Sequence, residues 1–154
     1  MIRTLTPLLA ALLFAASPAV HASAATDNLA IAAAPAAEQE KVVYHVNDVV
    51  NARAAMRNAQ NHISASPGAK IVLVTHGKGI DFLLNDAKDE KGEPYQPQVV
   101  GLKEKGVEFR VCRNTLKSRN MDDSAVILDA SVVPSGVAEI GRLQSKEGFV
   151  YLKP

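Results

Sequence analysis

The residue of this chain best suited to chemistry is its single cysteine, which stands at the end of an apolar run. Several other polar residues also follow apolar runs. Cys112 ends the apolar run VEFRVC and stands directly before the helix-like segment RNTLKSRN. The other polar residues that follow apolar runs are Asn47, Asp48, His76, Lys78 and Ser135. A thiol, an imidazole and an ammonium group at one edge could attack sulfur, move protons and attract anions.

The position of Cys112 favours the ionised thiol. A sulfur at a helix start faces free backbone N–H groups, here those of Asn114 and Thr115, and Arg113 adds a cation beside it. These groups lower a thiol pKa from its usual value of about 8.5 towards neutrality. Thiolate is the form that attacks sulfur, carries a persulfide or binds a soft metal. The alternative is a buried cysteine that acts as a small hydrophobic residue.

Each of the other polar residues also has a purely structural interpretation. His76 could satisfy a loop carbonyl, and GKG could be a strand-to-helix turn, since the spacing of a phosphate-binding P-loop is absent. Helix capping alone would explain Asn47, Asp48, Asn114 and Ser135. The sequence holds no HExxH, CxxC, paired-histidine or GxSxG pattern. No metal site and no cofactor is therefore predicted.

Alternating apolar runs and helical patterns predict the fold. The runs that predict strands are 41–46, 70–76, 107–112, 131–134 and 149–153. Strands that alternate with helices favour parallel pairing, so we expect an α/β/α three-layer sandwich with about five mostly parallel strands. Ligands of such sheets bind beyond the carboxyl ends of the strands, which places Cys112, His76 and the other polar residues on one rim.

The helical patterns carry more detailed expectations. An apolar stripe from Val49 to Ile63 predicts a helix capped by Asn47 or Asp48, and a second stripe lies at Ile80, Leu83, Leu84 and Ala87. Segment 86–98 is predicted to be a surface loop and 99–106 a short helix. The last helix is expected to begin at its cap Ser135, to bury Val137, Ile140 and Leu143, and to end at Gly148.

The N-terminus predicts export. Residues 1–24 have Arg3, then a short apolar stretch, then small residues, which is the layout of a signal peptide cleaved after Ala22 or Ala24. An uncleaved anchor is the alternative. Residues 25–40 are alanine-rich and read as a flexible tether, which leaves 41–154 as one α/β domain in the periplasm or outside the cell.

Charge and cysteine count limit the partners of the exported domain. Loss of Arg3 leaves 16 of the 17 basic residues against 16 acidic ones, so the processed chain is close to neutral. The sequence contains no basic block, so neither nucleic acid nor an anionic membrane surface is predicted as a partner. A leftover cysteine in an exported protein indicates either pairing between molecules or a reactive free thiol.

Four segments of the chain resemble a known family. VVYHVND, VTHGKGIDFLL, VEFRVCRNTLKSRN and VVPSGVAEIGRLQSKEGFVYLKP are similar to segments of the DsrE/DsrF-like family, in its exported branch. The resemblance runs from Lys41 to Pro154. It implies a flavodoxin-like fold and assembly into homotrimers or homohexamers. Members that work inside the cell relay sulfur as a cysteine persulfide, and Cys112 matches the cysteine that carries it.

Three functions remain open at this stage. In the first, an exported sulfur carrier or sulfurtransferase-like protein uses Cys112 as the acceptor, His76 as a proton donor or acceptor, and Lys78 and Arg113 to attract anions; its donor and acceptor are unknown. In the second, a non-enzymatic module for assembly or small-ligand binding takes a small anion or ligand at its rim and has a structural cysteine. The predicted binding residues of the rim are Lys78, Arg113, Asn114, Asn47 and Ser135. The third, a soft-metal chaperone, needs Cys112 and His76 from combined subunits.

Overall fold

A computed structural model describes residues 39–154 of the chain. Over that range strands and α-helices alternate along the sequence. They are β1 (Lys41–Val46), α1 (Ala52–Ala65), β2 (Lys70–Thr75), α2 (Gln96–Lys103), β3 (Glu108–Cys112), α3 (Arg113–Ser118), β4 (Ser131–Val133), α4 (Gly136–Glu147) and β5 (Val150–Leu152). Short 3-10 helices occupy Val49–Asn51, Gly77–Leu83 and Asp123–Ala125. The predicted signal peptide, 1–24, and nearly all of the predicted tether, 25–40, lie outside the described residues.

The strands form one sheet in the order β4-β3-β2-β1-β5, and every pair in it is parallel. The predicted α/β class and the five strands are confirmed, and the pairing is wholly rather than mostly parallel. Long apolar side chains at consecutive positions of β2 are buried, as expected for a strand covered on both faces. The three-residue strands β4 and β5 form the two edges.

Alternation along the strands divides the interior into two apolar clusters, one on each face of the sheet. The larger cluster contains Tyr44 and Leu73 from the sheet and is covered by α1, α2, α3 and the Gly77–Leu83 segment. The smaller contains Val43, Val72 and Val74 and is covered by Ile140 and Leu143 of α4. Helices therefore pack on both faces, which gives the predicted three layers.

The helix ends are set by side chains that the sequence indicates. The Asp48 carboxylate accepts a hydrogen bond from the N–H of Val50 and so begins the helical segment after β1. Ser135 accepts from the N–H of Ala138 at the start of α4, and Gly148, at a φ of 73°, ends that helix. Left-handed backbone of this kind favours glycine, which has no Cβ to clash.

Three predictions about local structure are wrong. The stripe that begins at Ile80 is a 3-10 helix that ends at Leu83, since Gly77 has a φ of 56° and Gly79 is pressed against the Val46 carbonyl. Val137 is 65% exposed, because the buried face of α4 starts one residue earlier, at Gly136.

The third wrong prediction concerns the loop 86–98, which is not simply a surface loop. Tyr95 within it is buried, and the guanidinium carbon of Arg53 lies 4.4 Å from the centre of its ring. Arg53 also donates to Asp89 and to the carbonyl of Glu93, so it holds the loop against α1. Helix α2 consequently begins at Gln96, three residues before the predicted start.

Candidate functional site

The ends of three central strands bring the main candidate residues into one row. Val74 of β2 is the register partner of both His45 in β1 and Arg110 in β3. Two residues further along, β2 leads to His76 and β3 ends at Cys112. The backbone of both is extended, so the two side chains leave the sheet on the α4 face. The thiol and the imidazole therefore follow adjacent strands, and neighbouring strands of a sheet are roughly 4.8 Å apart.

Cys112 is nearly buried, with 5% of its surface exposed, and polar groups surround its sulfur. Burial raises the pKa of the thiol, but the N–H groups of Gly136, Thr115 and Asn114 and the hydroxyl of Thr115 together outweigh it, and the pKa lies below the ordinary value. The Cys112 side chain makes no regular capping hydrogen bond with these groups. They stabilise the thiolate more than the neutral thiol, because a charge attracts N–H dipoles over longer distances.

Thr115 links the thiol to the turn that follows β2. Its hydroxyl oxygen accepts a hydrogen bond of 3.1 Å from the N–H of Gly77. The hydroxyl proton is then free to point at the sulfur of Cys112, whose pKa it lowers. The one side chain thus fixes the turn beside His76 and stabilises negative charge on the thiol.

Gly136 lets the first turn of α4 lie against the thiol. A Cβ built on this glycine would be 3.1 Å from the Cβ of Cys112, 3.1 Å from the carbonyl oxygen of Thr75 and 3.3 Å from the Cβ of His76. Those distances are too short for most side chains. Because residue 136 has no side chain, its N–H can approach the sulfur, while the capping hydroxyl of Ser135 holds the helix start in place.

His76 is the inner member of a chain of hydrogen-bonded side chains. Its Nε2 is 2.6 Å from the Nε2 of His45, and the Nδ1 of His45 is 2.7 Å from the hydroxyl of Tyr151. Burial, the neighbouring His76 and then Lys153 lower the pKa of His45 below its usual value. His45 is therefore neutral at neutral pH and can donate at one ring nitrogen while it accepts at the other.

Two of the predicted anion-binding residues lie away from the sulfur. Arg113 is the first residue of α3, but its guanidinium makes two hydrogen bonds to the carboxylate of Asp123, at 3.1 and 2.6 Å. It is not among the groups that lower the pKa of Cys112. Lys78 is exposed and lines a cavity of about 920 Å³ between α1 and the 88–98 loop.

Of the remaining predicted residues, Asn114 and Asn47 meet the site through their backbone and Ser135 through its capping hydroxyl. Asn114 contributes its N–H to the surroundings of Cys112. Asn47 follows β1, and its carbonyl oxygen would lie 3.3 Å from a Cβ built on Gly77. Ser135 is a helix cap. Within residues 39–154, no group of three or more histidine, cysteine, aspartate or glutamate side chains is arranged to hold a metal ion. No helix of the same range has the length and apolar character needed to cross a membrane.

Sequence reasoning missed His45 and Tyr151 as parts of this site, and it placed Gly136 on the rim without giving it a role. A signal for His45 is present, since it lies two residues after Val43 and so shares the α4 face of an otherwise apolar strand. Tyr151 carries no such signal, because its contact depends on β5 pairing beside β1. The closeness of Gly136 depends on how α4 packs on the sheet.

A family model and solved structures match this chain. The model of the DsrE/DsrF-like family matches residues 10–154. A protein of unknown function from Methanobacterium thermoautotrophicum, MTH1491, is similar in structure with a TM-score of 0.68 and 29% sequence identity, over 75% of this chain and 100% of that one. The ychN protein from E. coli shares the fold, with a TM-score of 0.61 and 13% identity over 75% of this chain and 99% of its own.

Comparison with curated proteins gave no match. The family model covers well over half of the sequence, and both solved structures match the fold of this chain over nearly their whole length. This chain therefore belongs to the DsrE/DsrF-like family.

Proposed function

We propose that the protein is a sulfur carrier that accepts sulfane sulfur on Cys112 and holds it as a persulfide. The observation that carries this proposal is the surroundings of the sulfur: three backbone N–H groups and one hydroxyl lower the pKa of a nearly buried thiol. A cysteine that served only as apolar filler would have a raised pKa, because burial disfavours the charged form.

Transfer of sulfane sulfur needs only one thiol. The thiolate attacks the outer sulfur of a donor persulfide, and the donor leaves as a thiol. The product is a persulfide on Cys112, which carries its negative charge on the outer sulfur. A ring of N–H donors that stabilises thiolate can stabilise that charge as well. The lack of a second cysteine in the chain is compatible with a carrier, which returns its sulfur to an acceptor.

Membership of the DsrE/DsrF-like family supports the same function. The resemblance that matches Cys112 to a persulfide-bearing cysteine is consistent with the position of this residue at the end of β3. The N-terminal sequence motivates a further proposal, that the carrier works in the periplasm or outside the cell after cleavage behind Ala22 or Ala24. Fractionation of the native host's cells, followed by N-terminal sequencing of the protein from each fraction, tests that location.

A specific observation also favours assembly. Val137, Val150 and Leu152 are 65%, 60% and 38% exposed, and two of them lie on the edge strand β5. Exposed apolar residues on an unprotected edge strand are usually covered by another chain. We therefore include a homo-oligomer in the proposal, for which the family resemblance suggests a trimer or hexamer, and light scattering of the processed protein measures the number of subunits.

Loading with a persulfide donor tests the carrier function. Processed protein is incubated with glutathione persulfide, separated from it, and measured by intact mass spectrometry. We expect a gain of one sulfur atom that dithiothreitol removes, and no gain for Cys112→Ser. An unchanged mass for the wild-type protein, or an equal gain for the serine variant, would exclude Cys112 as a sulfur acceptor.

A further inference from the structure

A row of hydrogen-bonded side chains leads from the outer strand of the sheet to His76, the neighbour of Cys112 on the adjacent strand. Tyr151 lies on the edge strand β5, His45 on β1, and His76 directly after β2. The two hydrogen bonds that join them measure 2.7 and 2.6 Å, and the ring centres of the two histidines are 4.7 Å apart. The row runs across the sheet on the face that also carries Cys112.

The hydrogen bonds of His45 impose an order on the protons. A neutral imidazole has one N–H donor and one acceptor nitrogen, and both nitrogens of His45 are engaged. If the hydroxyl of Tyr151 donates to Nδ1, then Nε2 of His45 donates to Nε2 of His76, and His76 carries its own proton on Nδ1. In the opposite order, Nε2 of His76 donates to Nε2 of His45, and Nδ1 of His45 donates to the oxygen of Tyr151. The two orders interconvert when each proton crosses its hydrogen bond. A chain with these two states can pass a proton from end to end.

The two ends of the chain lie in different surroundings. Tyr151 is 37% exposed and meets solvent on the α4 face of β5, opposite the exposed Val150 and Leu152 that are proposed to contact another chain. His76 lies beside Cys112 on the adjacent strand, and a Cβ on Gly136 would touch the Cβ atoms of both. Within the described residues, Nδ1 of His76 has no hydrogen-bond partner, so this nitrogen remains available to a bound molecule.

We propose that Tyr151, His45 and His76 form a proton relay that protonates the thiol released when Cys112 takes up sulfur. This inference rests on the proposed carrier function. It assigns His76 as the catalytic acid and His45 and Tyr151 as residues that supply and position its proton.

The reaction balances as follows. The Cys112 thiolate attacks the outer sulfur of a donor R–S–SH, a new S–S bond forms, and the S–S bond of the donor breaks. R–S⁻ leaves with the electron pair and takes the Nδ1 proton of His76. His76 takes a proton from His45 at Nε2, His45 takes the hydroxyl proton of Tyr151, and water replaces it. The products are R–SH and Cys112–S–SH, with no net oxidation. The persulfide then loses its own proton to solvent, which leaves the negative charge on its outer sulfur.

A second tyrosine–histidine pair in the chain provides matched controls. The hydroxyl of Tyr44 is 3.0 Å from Nδ1 of His62, whose Nε2 bonds to the carboxylate of Glu40 at 2.8 Å. This pair joins β1 to α1, on the opposite face of the sheet from Cys112. Tyr44→Phe and His62→Gln make the same chemical changes as Tyr151→Phe and His45→Gln, but away from the thiol.

Comparison of two reactions of Cys112 distinguishes an effect on proton delivery to the leaving group from an effect on formation of the thiolate. Single-turnover loading from glutathione persulfide releases a thiolate that needs a proton, whereas alkylation by iodoacetamide releases iodide, which needs none. General acids contribute about 100-fold or more to such steps, so we expect Tyr151→Phe and His45→Gln to slow loading by about tenfold or more and to change alkylation by less than about twofold. The glutamine keeps a hydrogen-bonding group at residue 45 but cannot relay a proton. Both control variants should load at the wild-type rate.

The outcomes distinguish the relay from the carrier function. If the wild-type protein loads and the two relay variants load equally fast, or if loading and alkylation slow by the same factor, the relay is excluded and the carrier function stands. If the wild-type protein alkylates but does not load, the carrier function fails and the relay fails with it. A measurement on the wild-type protein alone is independent of folding defects: the ¹⁵N–¹⁵N scalar coupling between the Nε2 atoms of His45 and His76 should be observed, and its absence would exclude the relay.

Discussion

The first turn of α4 rests directly on the thiol-bearing end of β3, with Gly136 and Cys112 in contact. A Cβ added to the glycine would be 3.1 Å from the Cβ of the cysteine. The contact makes the N–H of Gly136 the backbone group that lowers the pKa of the thiol most. It couples two parts of the chain that are distant in sequence, so changes in one residue should alter the chemistry of the other.

Replacement of Gly136 by alanine should raise the pKa of Cys112 and destabilise the fold. The added methyl group must displace α4 from Cys112 and from the Thr75 carbonyl, which moves the N–H away from the sulfur. Overpacking of this kind costs about 1–3 kcal/mol. Chemical denaturation measures the free energy of unfolding, and the pH dependence of alkylation measures the pKa.

Gly141→Ala in the same helix is the matched control. A Cβ at residue 141 would have no neighbour within 4 Å, so the helix does not need to move. Alanine is about 1 kcal/mol more favourable than glycine inside a helix, and the variant should be more stable with an unchanged pKa of Cys112. Equal effects of the two substitutions on that pKa would contradict the contact between Gly136 and the thiol.

Thr115→Val should raise the pKa of Cys112 through loss of the hydroxyl that faces the sulfur. The change keeps the shape of the side chain but also leaves the N–H of Gly77 without its acceptor. An unsatisfied backbone donor costs about 1–3 kcal/mol when buried, so we expect a loss of stability near the lower figure at this half-buried position. Thr115→Ser keeps the hydroxyl and should retain both the low pKa and the hydrogen bond. A serine variant with the same raised pKa of Cys112 as the valine variant would contradict the role of the hydroxyl in lowering that pKa.

His45 should make the protein less stable in acid. Its pKa is lowered in the folded state, so the unfolded chain binds a proton more readily. The stability from neutral His45 is present above the unfolded pKa of about 6.5 and is lost as pH falls through the folded value, by at most about 1.4 kcal/mol per pH unit. Denaturation of the wild-type protein and His45→Gln between neutral and mildly acidic pH measures the difference. Parallel curves for the two proteins would show that His45 titrates normally.

The central strand β2 could be predicted from sequence because a parallel strand that is buried on both faces is a nearly continuous apolar run. The rim followed from the expected parallel pairing, and the helix caps from local hydrogen-bonding side chains. Contacts between distant segments could not be predicted in this way. Tyr151 reaches His45 only because the last strand pairs with the first, 106 residues earlier in the chain.

Arg113 shows that a charged residue next to a site in the sequence need not direct its charge at that site in the structure. It is adjacent to Cys112, yet Asp123, ten residues later, accepts both of its hydrogen bonds. The N–H groups around the sulfur come instead from two helix starts. The expectation of a stabilised thiolate therefore agrees with the structure in direction, while part of the physical cause lies in Gly136 and Thr115 rather than in the guanidinium.

The measurement that tests this account most directly is the pH dependence of iodoacetamide alkylation of Cys112 in the folded, processed protein. Thiolate reacts and thiol does not, so the midpoint of the curve gives the pKa of the residue. We expect a midpoint below the ordinary value of about 8.5, and a shift back towards that value on denaturation. A midpoint at or above 8.5 in the folded protein would mean that burial outweighs the surrounding N–H groups, and would contradict a role for Cys112 as a sulfur acceptor.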